Sequence, residues 1–447
     1  MNEFTSLVAS QLRADLRSLP GQARTHFSAA GQAARAGTIG ELRAAARRRV
    51  PRVVFDYVDG AAGDEVTAAA NVAALRAIEL QPRVLAGLPE VGTSTSVLGQ
   101  PVALPLLGAP MGLTGLLHPA GEVALARAMC AAGSLSVLAA MASCPIEEVA
   151  AAAGGPVWFQ MYIWRDRGLV QEMLQRAWAA GMPVLVLTVD VPCAGNRDRD
   201  RRNGFSVPPR VTARALAGGL AHPAWSYRFA RRPRISWGNL PGDGGRAAAT
   251  LSAQTNRQFD PAATWEDLRW FRDRWAGRLV VKGILRAEDA RRAVRLGADG
   301  IAVSNHGGRQ LDGAPASIRA LPAVAGAVGA DAEVYLDGGI RRGADVLRAL
   351  ALGARACLIG RPLGYGLGAA GEAGARRAVE ILRAELRTAL ALAGCPSVQA
   401  IDASWVAAGS GDIPWHGAER GQDAEQHGGP EDQAGRGGER QWAGPGG

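Results

Sequence analysis

Lysine is nearly missing from this chain. Of 50 basic residues in 447, one, Lys282, is lysine and the other 49 are arginine. Ala, Gly and Arg richness reads as a composition-wide bias. Where nearly every cation has become arginine, the remaining lysine is either an accident of composition or a place where a compact ammonium serves and a wide planar guanidinium does not, and its position, below, favours the second. Other scarcities exclude whole classes. Five cysteines (Cys130, Cys144, Cys193, Cys357, Cys395) form no CxxC pair and no metal-ligand spacing, which predicts reduced thiols in the cytoplasm and no metal site. No run of 18 or more apolar residues occurs, so no membrane-spanning helix is expected. The first residues carry Glu3 and Asp15 without an unbroken apolar stretch, so no signal peptide is expected. What is abundant is apolar: 48% hydrophobic residues are ample for a core. A formal net charge of +9 admits a nucleic-acid or membrane-surface partner without choosing between them.

Residues 1–36 hold Ala, Gly, Gln and Arg with weak helical periodicity and read as an extension. Thr38 then caps a helix over Ile39–Arg49, with Glu41 completing a capping box. From residue 102 short apolar runs alternate with amphipathic stretches. The runs are 102–109, 134–140, 157–162, 183–190, 279–283, 300–306, 333–338 and 356–360. The helical stretches are 121–132, 146–153, 169–180, 265–275, 287–296, 318–328, 344–352 and 372–392, several followed by a terminating glycine such as Gly133, Gly154 or Gly353. Eight βα units predict an α/β fold of the (β/α)8 barrel type over 37–403, with a long loop at about 205–263 after strand four and a low-complexity tail at 404–447. A doubly wound sheet is the alternative, but gives no reason to stop at eight.

A barrel places chemistry at the C-terminal ends of its strands. Those ends carry Pro110, Met111 and Gly112; Ala139 and Ala140; Gln160 and Tyr162; Thr188 and Asp190, with Arg197 beyond; Lys282; Ser304, His306 and Arg309; Asp337, Gly339 and Arg341; Gly360 and Arg361. Polar groups closing so many apolar runs are hard to ascribe to solvation. In Ser304-Asn-His306-Gly-Gly-Arg309, a base that titrates near neutrality stands beside a fixed cation, as needed to hold a carboxylate and move a proton next to it. The glycine-rich turns with Arg341 and Arg361 after strands seven and eight suit a phosphate. Tyr57, in Phe55-Asp-Tyr-Val, could pack or reach the site.

As a set, Val281-Lys-Gly, the run from Ser304 to Asp312, Leu336-Asp-Gly-Gly-Ile-Arg-Arg342, Ile359-Gly-Arg-Pro362, Phe159-Gln-Met-Tyr162 and Leu187-Thr-Val-Asp190 closely resemble the FMN-dependent 2-hydroxy-acid dehydrogenases and oxidases, over residues 38–401. The resemblance implies FMN across the strand ends, with its phosphate on Gly339, Arg341, Gly360 and Arg361. Lys282 would stand at the N1/C2 side of the ring, stabilising the negative charge of reduction. Gln160, Thr188 and the backbone of Pro110, Met111 and Gly112 would meet the ring, with Ser304 and Asp337 also in the cofactor site. It implies a substrate carboxylate clamped by Arg197 and Arg309, Tyr57 and Tyr162 on the carboxylate and hydroxyl oxygens, His306 as general base, and Asp190 stabilising the protonated His306. Gly112, without a Cβ, is expected to leave room for an aromatic or branched substrate side chain. One departure stands at Ala139, where the resembled family carries a serine that bonds the ring.

Within the long loop, 210–237 has six arginines, no acid, and Trp225, Tyr227, Phe229 and Trp237. Composition alone fits a membrane-interface segment and a solvated lid equally. Ala221-His-Pro-Ala-Trp225 and Phe259-Asp-Pro261 resemble the loop of the membrane-associated, quinone-linked lactate and mandelate dehydrogenases. The implied protein oxidises an L-2-hydroxy acid of lactate or mandelate type to the 2-oxo acid and passes electrons to a quinone. It would be peripheral on the inner face of the cell membrane, and a homo-oligomer, a tetramer by resemblance. The competing reading is a soluble oxidase that uses O2 and releases hydrogen peroxide. A nucleic-acid binder finds no legible module beyond Arg436-Gly-Gly, and an inactive flavin-holding barrel would not need His306, Arg309, Arg197 and Tyr162.

Overall fold

The computed structural model describes residues 28–205, 213–234, 237–240 and 258–410. Eight parallel strands close into a barrel: β3 (Leu106–Gly108), β4 (Ser136–Ala139), β5 (Val157–Tyr162), β6 (Val184–Thr188), β7 (Arg278–Ile284), β8 (Gly300–Val303), β9 (Glu333–Asp337) and β10 (Ala356–Ile359), with β10 pairing β3. Each strand is followed by a helix on the outside: α5 (Gly121–Ala131), α6 (Ile146–Ala153), α7 (Arg167–Ala179), α11 (Trp265–Arg274), α12 (Ala287–Arg295), α13 (Ser317–Val328), α14 (Gly343–Ala351) and α15 (Arg361–Ala393). This is the (β/α)8 barrel that the alternating pattern predicts. Before it come α1 (Ala29–Ala34), α2 (Ile39–Arg49), α3 (Arg52–Asp59) and α4 (Val66–Ala77), then an antiparallel hairpin of β1 (Thr95–Val97) and β2 (Gln100–Val102). Between β6 and α11 lie α8 (Asp198–Arg202), α9 (Ala213–Leu220) and α10 (Pro223–Arg231).

Strand parity divides the apolar residues into two clusters, because successive side chains point to opposite faces. Leu106, Phe159, Leu185, Val281, Ile301 and Leu336 face the helices. Leu107, Val137, Trp158, Val186, Val280, Ala302, Tyr335 and Leu358 fill the lumen, and Val97 and Val102 of the hairpin close its lower end. Run 102–109 therefore splits: Val102 belongs to the hairpin, and the barrel strand starts at Leu106, after Pro105, which has no N–H for a ladder.

The last helix also differs from the sequence reading. It begins at Arg361 with Pro362 in its first turn and is broken at Ala370 and Gly371, where φ reaches +62°, so the periodicity over 372–392 reports only its second half. At the capping box, the Thr38 hydroxyl accepts from the Glu41 N–H, while the Glu41 carboxylate returns to the Gly37 N–H. The packed chain continues past Ser404: Trp405 is buried and Val406 pairs with Leu80. Residues 1–27 of the extension, 411–447 of the tail, and 206–212, 235–236 and 241–257 of the loop lie outside the described residues.

Candidate active site

At the upper end of the barrel five lumen positions, each two residues beyond the apolar layer, change character. Gln160, Thr188, Lys282, Ser304 and Asp337 are all buried there. The Lys282 Nζ pairs with Asp337 Oδ2 at 2.8 Å and donates to Ser304 Oγ at 2.9 Å, and that hydroxyl donates to Asp337 Oδ2 at 2.7 Å. Burial works against the Lys282 ammonium, but the Asp337 and Asp190 carboxylates outweigh it and raise its pKa. Burial likewise opposes the Asp337 carboxylate, and Lys282 outweighs it, holding that group below the usual range. The lone lysine is thus a charged group kept charged in the lumen. Next to it β7 bulges at Gly283, whose φ is +107°; a Cβ there would stand 2.7 Å from Asp190.

The Ser304 hydroxyl also accepts from the His306 N–H at 2.9 Å. It thereby fixes His306 in a left-handed conformation, φ +58°, uncommon for a residue with a Cβ and typical of strained functional positions. The imidazole Nδ1 meets Asp190 Oδ1 at 3.0 Å. The ring lines the cavity, and its Nε2 makes no hydrogen bond among the described residues. An imidazole with one nitrogen on a carboxylate and the other open is oriented to take a proton.

Two guanidiniums are held by the end of α3. The last carbonyls of a helix lack intrahelical partners. Here Arg309 donates to the carbonyls of Tyr57 and Gly60, both at 2.8 Å, and Arg361 to those of Val58 and Gly60, at 3.2 and 2.9 Å. Arg309 has no carboxylate in ion-pairing range among the described residues; burial, then the neighbouring Arg197 cation, lowers its pKa to about 10. The Tyr57 ring lies near Arg309 and Arg197, with Cζ at 5.2 Å and 5.9 Å from its centroid, and stacks on Phe205 at 4.6 Å. Its hydroxyl donates to the Gly112 carbonyl at 3.2 Å. Tyr162 stands beside the His306 ring at 6.5 Å between centroids, and burial raises its phenol pKa, keeping it neutral and a donor.

One cavity joins these groups. Tyr57, Pro110, Met111, Gly112, Tyr162, Arg197, Lys282, His306, Arg309, Asp337, Gly339, Arg341, Gly360 and Arg361 all line it. Gln160, Thr188 and Ser304 are buried at the strand ends, and Asp190 stands behind His306. The residues fit a flavin nucleotide. The Gln160 amide donates to Thr188 Oγ1 at 3.0 Å, but its buried Oε1 has no partner among the described residues, an acceptor waiting for a donor. Arg341 and Arg361 share one corner without an ion-pairing carboxylate among the described residues, and burial, more than the Arg361 charge beside it, lowers the Arg341 pKa. Two such cations leave a place for a dianionic phosphate.

Gly112 answers to a different constraint than the sequence implies. A Cβ there would stand 2.8 Å from the Met141 carbonyl oxygen, so close backbone approach between two loops demands glycine. Sequence reasoning also missed residues that hold the loops. Gln310 donates to the carbonyls of Asp190 and Cys193 and accepts from the Gly195 N–H, tying the His306 loop to the loop that carries Asp190 and Arg197. The side-chain amides of Asn71 and Asn305 bond reciprocally at 2.8 Å, and the Asp312 carboxylate accepts from the N–H groups of Val66 and Thr67, docking α4 on the same segment. Gln310, Asn305 and Asp312 sit inside the quoted run; Asn71 gives no signal in sequence.

A nucleotide cradle of arginines, a lysine fixed in the lumen and a carboxylate-oriented imidazole together define a flavin-dependent oxidoreductase. Residues 46–408 match the FMN-dependent dehydrogenase family, and the chain belongs to it; its cofactor is FMN. It is 45% identical over 372 residues to an L-lactate dehydrogenase of Pseudomonas aeruginosa, covering 81% of this chain and 96% of that one. It is 46% identical over 367 residues to an L-lactate dehydrogenase of Caulobacter vibrioides, covering 81% and 95%. Among solved structures, a monotopic membrane protein, (S)-mandelate dehydrogenase, superposes with a TM-score of 0.81 at 37% identity, covering 83% of this chain and 99% of that one. A mandelate oxidase superposes at 0.71 and 40% identity, covering 83% and 98%.

Proposed function

We propose that this single barrel domain, its packed chain running past residues 37–403 to Val406, oxidises an L-2-hydroxy acid of lactate or mandelate type to the 2-oxo acid and delivers the electrons to a quinone. The observation that carries this is the pairing of His306 with Asp190 beside Arg309, which has no carboxylate partner, in one cavity. Bound FMN supplies the two-electron acceptor. Arg309 and Arg197 take the substrate carboxylate, and Tyr57 and Tyr162 contact its carboxylate and hydroxyl oxygens. His306 Nε2 removes a proton from the reacting C–OH unit, and Asp190 stabilises the imidazolium that results. Lys282, held charged by Asp337, sets a positive charge where the cofactor gains electron density. Gly339, Arg341, Gly360 and Arg361 bind the phosphate; Gln160, Thr188, Ser304 and the backbone of Pro110, Met111 and Gly112 hold the rest.

The acceptor reading rests on α9 and α10. Leu220 and Tyr227 are 78% and 62% exposed, and Pro223 and Ala224 are exposed between them, an apolar ridge flanked by arginines. Trp225, by contrast, faces the protein, its indole donating to the Leu116 carbonyl at 2.8 Å. Such a ridge suits a peripheral site on an anionic membrane, where a lipid-soluble quinone is reached. No helix among the described residues is long and apolar enough to cross a bilayer. The likeness to a mandelate oxidase supports the second reading, a soluble enzyme using O2. We further propose a homo-oligomer, a tetramer, with exposed Val84, Leu85 and Leu392 as apolar surface for contacts between copies.

The test is reoxidation after anaerobic reduction by substrate. Rapid recovery of flavin colour with a quinone and slow recovery with air, together with sedimentation on phosphatidylglycerol vesicles, is the expected result. Brisk turnover with O2 and no vesicle binding would establish the oxidase.

A further inference from the structure

The exposed ridge of α9 and α10 does not stand alone. The α9–α10 corner rests on the end of α2: a Cβ on Gly218 would lie 3.9 Å from Pro51 Cβ, two residues beyond Arg49. Helix α2 ends in Arg47, Arg48 and Arg49, of which the first two are exposed. Arg49 is anchored by its bond to the Ala369 carbonyl at 2.7 Å, beside the break in α15. From the other side comes Arg228 of α10, whose buried Nε has no hydrogen-bond partner among the described residues. Among the described residues none of Arg47, Arg48, Arg49 and Arg228 has a carboxylate within 4 Å. Neighbouring Arg232 and Arg234 do, both meeting Glu148. Burial first, then Arg228 and Arg48, lowers the Arg49 pKa. Burial and Arg228 likewise press His118 down to about 4, so this neighbour adds no charge at neutral pH.

Two helices distant in sequence thus meet at the Gly218–Pro51 contact, with the Arg228 charge acting on Arg49 and, among the described residues, no carboxylate within 4 Å of either, next to an apolar ridge. Like charges brought together on folding cost stability unless an anion shares them. Beside an apolar ridge, an anion shared by these cations would sit at the depth of a headgroup, just outside the apolar boundary.

We infer that Arg49 and Arg228, with Arg47 and Arg48 at the rim, form a binding site for the phosphodiester of an anionic phospholipid, so that the membrane footprint includes the end of α2 as well as the loop. The inference rests on the peripheral-membrane reading above and names its lipid partner. It also assigns work to a helix outside the barrel that the catalytic cavity does not use.

The experiment measures partition of the FMN-loaded full chain onto vesicles of phosphatidylglycerol with phosphatidylcholine, and onto phosphatidylcholine alone. Variants are Arg48→Gln, Arg49→Gln, Arg228→Gln and the Arg49→Gln/Arg228→Gln pair. With each cation near an anionic surface contributing about 1 kcal/mol, each single change should weaken binding to phosphatidylglycerol about fivefold and the pair about thirtyfold. Binding to phosphatidylcholine and anaerobic flavin reduction should not change. In lipid-free buffer, Arg228→Gln should leave the melting temperature unchanged or raised, since a repulsion is removed; a purely structural guanidinium would lower it. Inorganic phosphate at millimolar concentration should not compete with vesicles. If the variants bind phosphatidylglycerol like the wild type while replacing 210–237 by a Gly/Ser linker abolishes binding, the membrane reading stands and the α2 site is wrong. Competition by free phosphate would make it a soluble-anion site and overturn the lipid assignment. If the wild type binds no vesicle, both readings fall.

Discussion

The two ends of the barrel lumen are built from the same strands and do opposite things. At the lower end Trp158, Val186, Val280, Ala302 and Tyr335 interdigitate, with Trp158 edge-on to Tyr335 at 6.0 Å and its indole tied to Gln100 Oε1 at 3.1 Å. Two residues further along each strand stand Gln160, Thr188, Lys282, Ser304 and Asp337. A strand that rises about 3.3 Å per residue returns to the same face after two, so each pair is separated by one layer. The lower layer is apolar packing whose two polar tips are satisfied, the Trp158 indole by Gln100 and the Tyr335 hydroxyl by Glu333 Oε2 at 2.6 Å. The upper one holds charges and an unpaired amide oxygen out of water, an arrangement costly without a ligand. Stability is stored at one end and spent at the other.

Mutations at the two ends should therefore separate rate from stability. The largest effect belongs to the upper end: His306→Gln should retain FMN and lose turnover by ~10²–10⁴, read by anaerobic rapid mixing, with an unchanged melting temperature. Near-normal reduction in that variant would refute the assignment of the base. At the lower end Trp158→Ala should cost ~3–5 kcal/mol of stability, read by denaturant unfolding, while the folded fraction turns over normally. A matching loss of rate in folded Trp158→Ala would break the division.

Lys282 sharpens the comparison, because Val280 lies one layer below it. Lys282→Met should slow flavin reduction by ~10²–10³, as for removal of a preorganised charge, and make the flavin harder to reduce. Lys282→Arg should also impair it, since the planar fork does not replace a point charge held between Asp337 and Ser304. If Lys282→Arg matches the wild type, the rarity of lysine here is an accident of composition.

Smaller effects come from groups that only position others. Gln310→Leu should cost ~10–10² in kcat/KM by releasing the Asp190–Arg197 loop. Its signature should be a displaced acid limb in the pH profile of kcat/KM and a raised KM, with FMN affinity kept; loss of stability alone would assign Gln310 a merely structural part. Gly112→Ala should lower activity about tenfold or less, and equally on small and bulky 2-hydroxy acids, because its Cβ meets the Met141 carbonyl. A loss confined to bulky acids would restore the view that Gly112 makes room for the substrate.

Why some of this was legible before folding follows from the same geometry. Strand ends are local: an apolar run that closes in Lys282, in Ser304 and His306, or in Asp337 announces itself, and all of these reach the site. What comes from outside the βα rhythm was harder to read. The carbonyls of Tyr57, Val58 and Gly60 hold Arg309 and Arg361 only because α3 ends over the barrel mouth, and no residue type marks a free carbonyl. Asn71 meets Asn305 across 234 positions of sequence. The loop composition over 210–237 pointed to an interface but not to its facing: Trp225 turns inward, and Leu220, which has no aromatic signal, is the more exposed.

The most direct measurement is an anaerobic titration of the FMN-loaded protein with L- and D-lactate and with (S)- and (R)-mandelate, following flavin absorbance and the 2-oxo acid formed. The account predicts bleaching by at least one L-configured acid, with one equivalent of 2-oxo acid per flavin reduced, and little response to the opposite enantiomers. A protein that binds FMN yet stays yellow in excess of all four acids would contradict it.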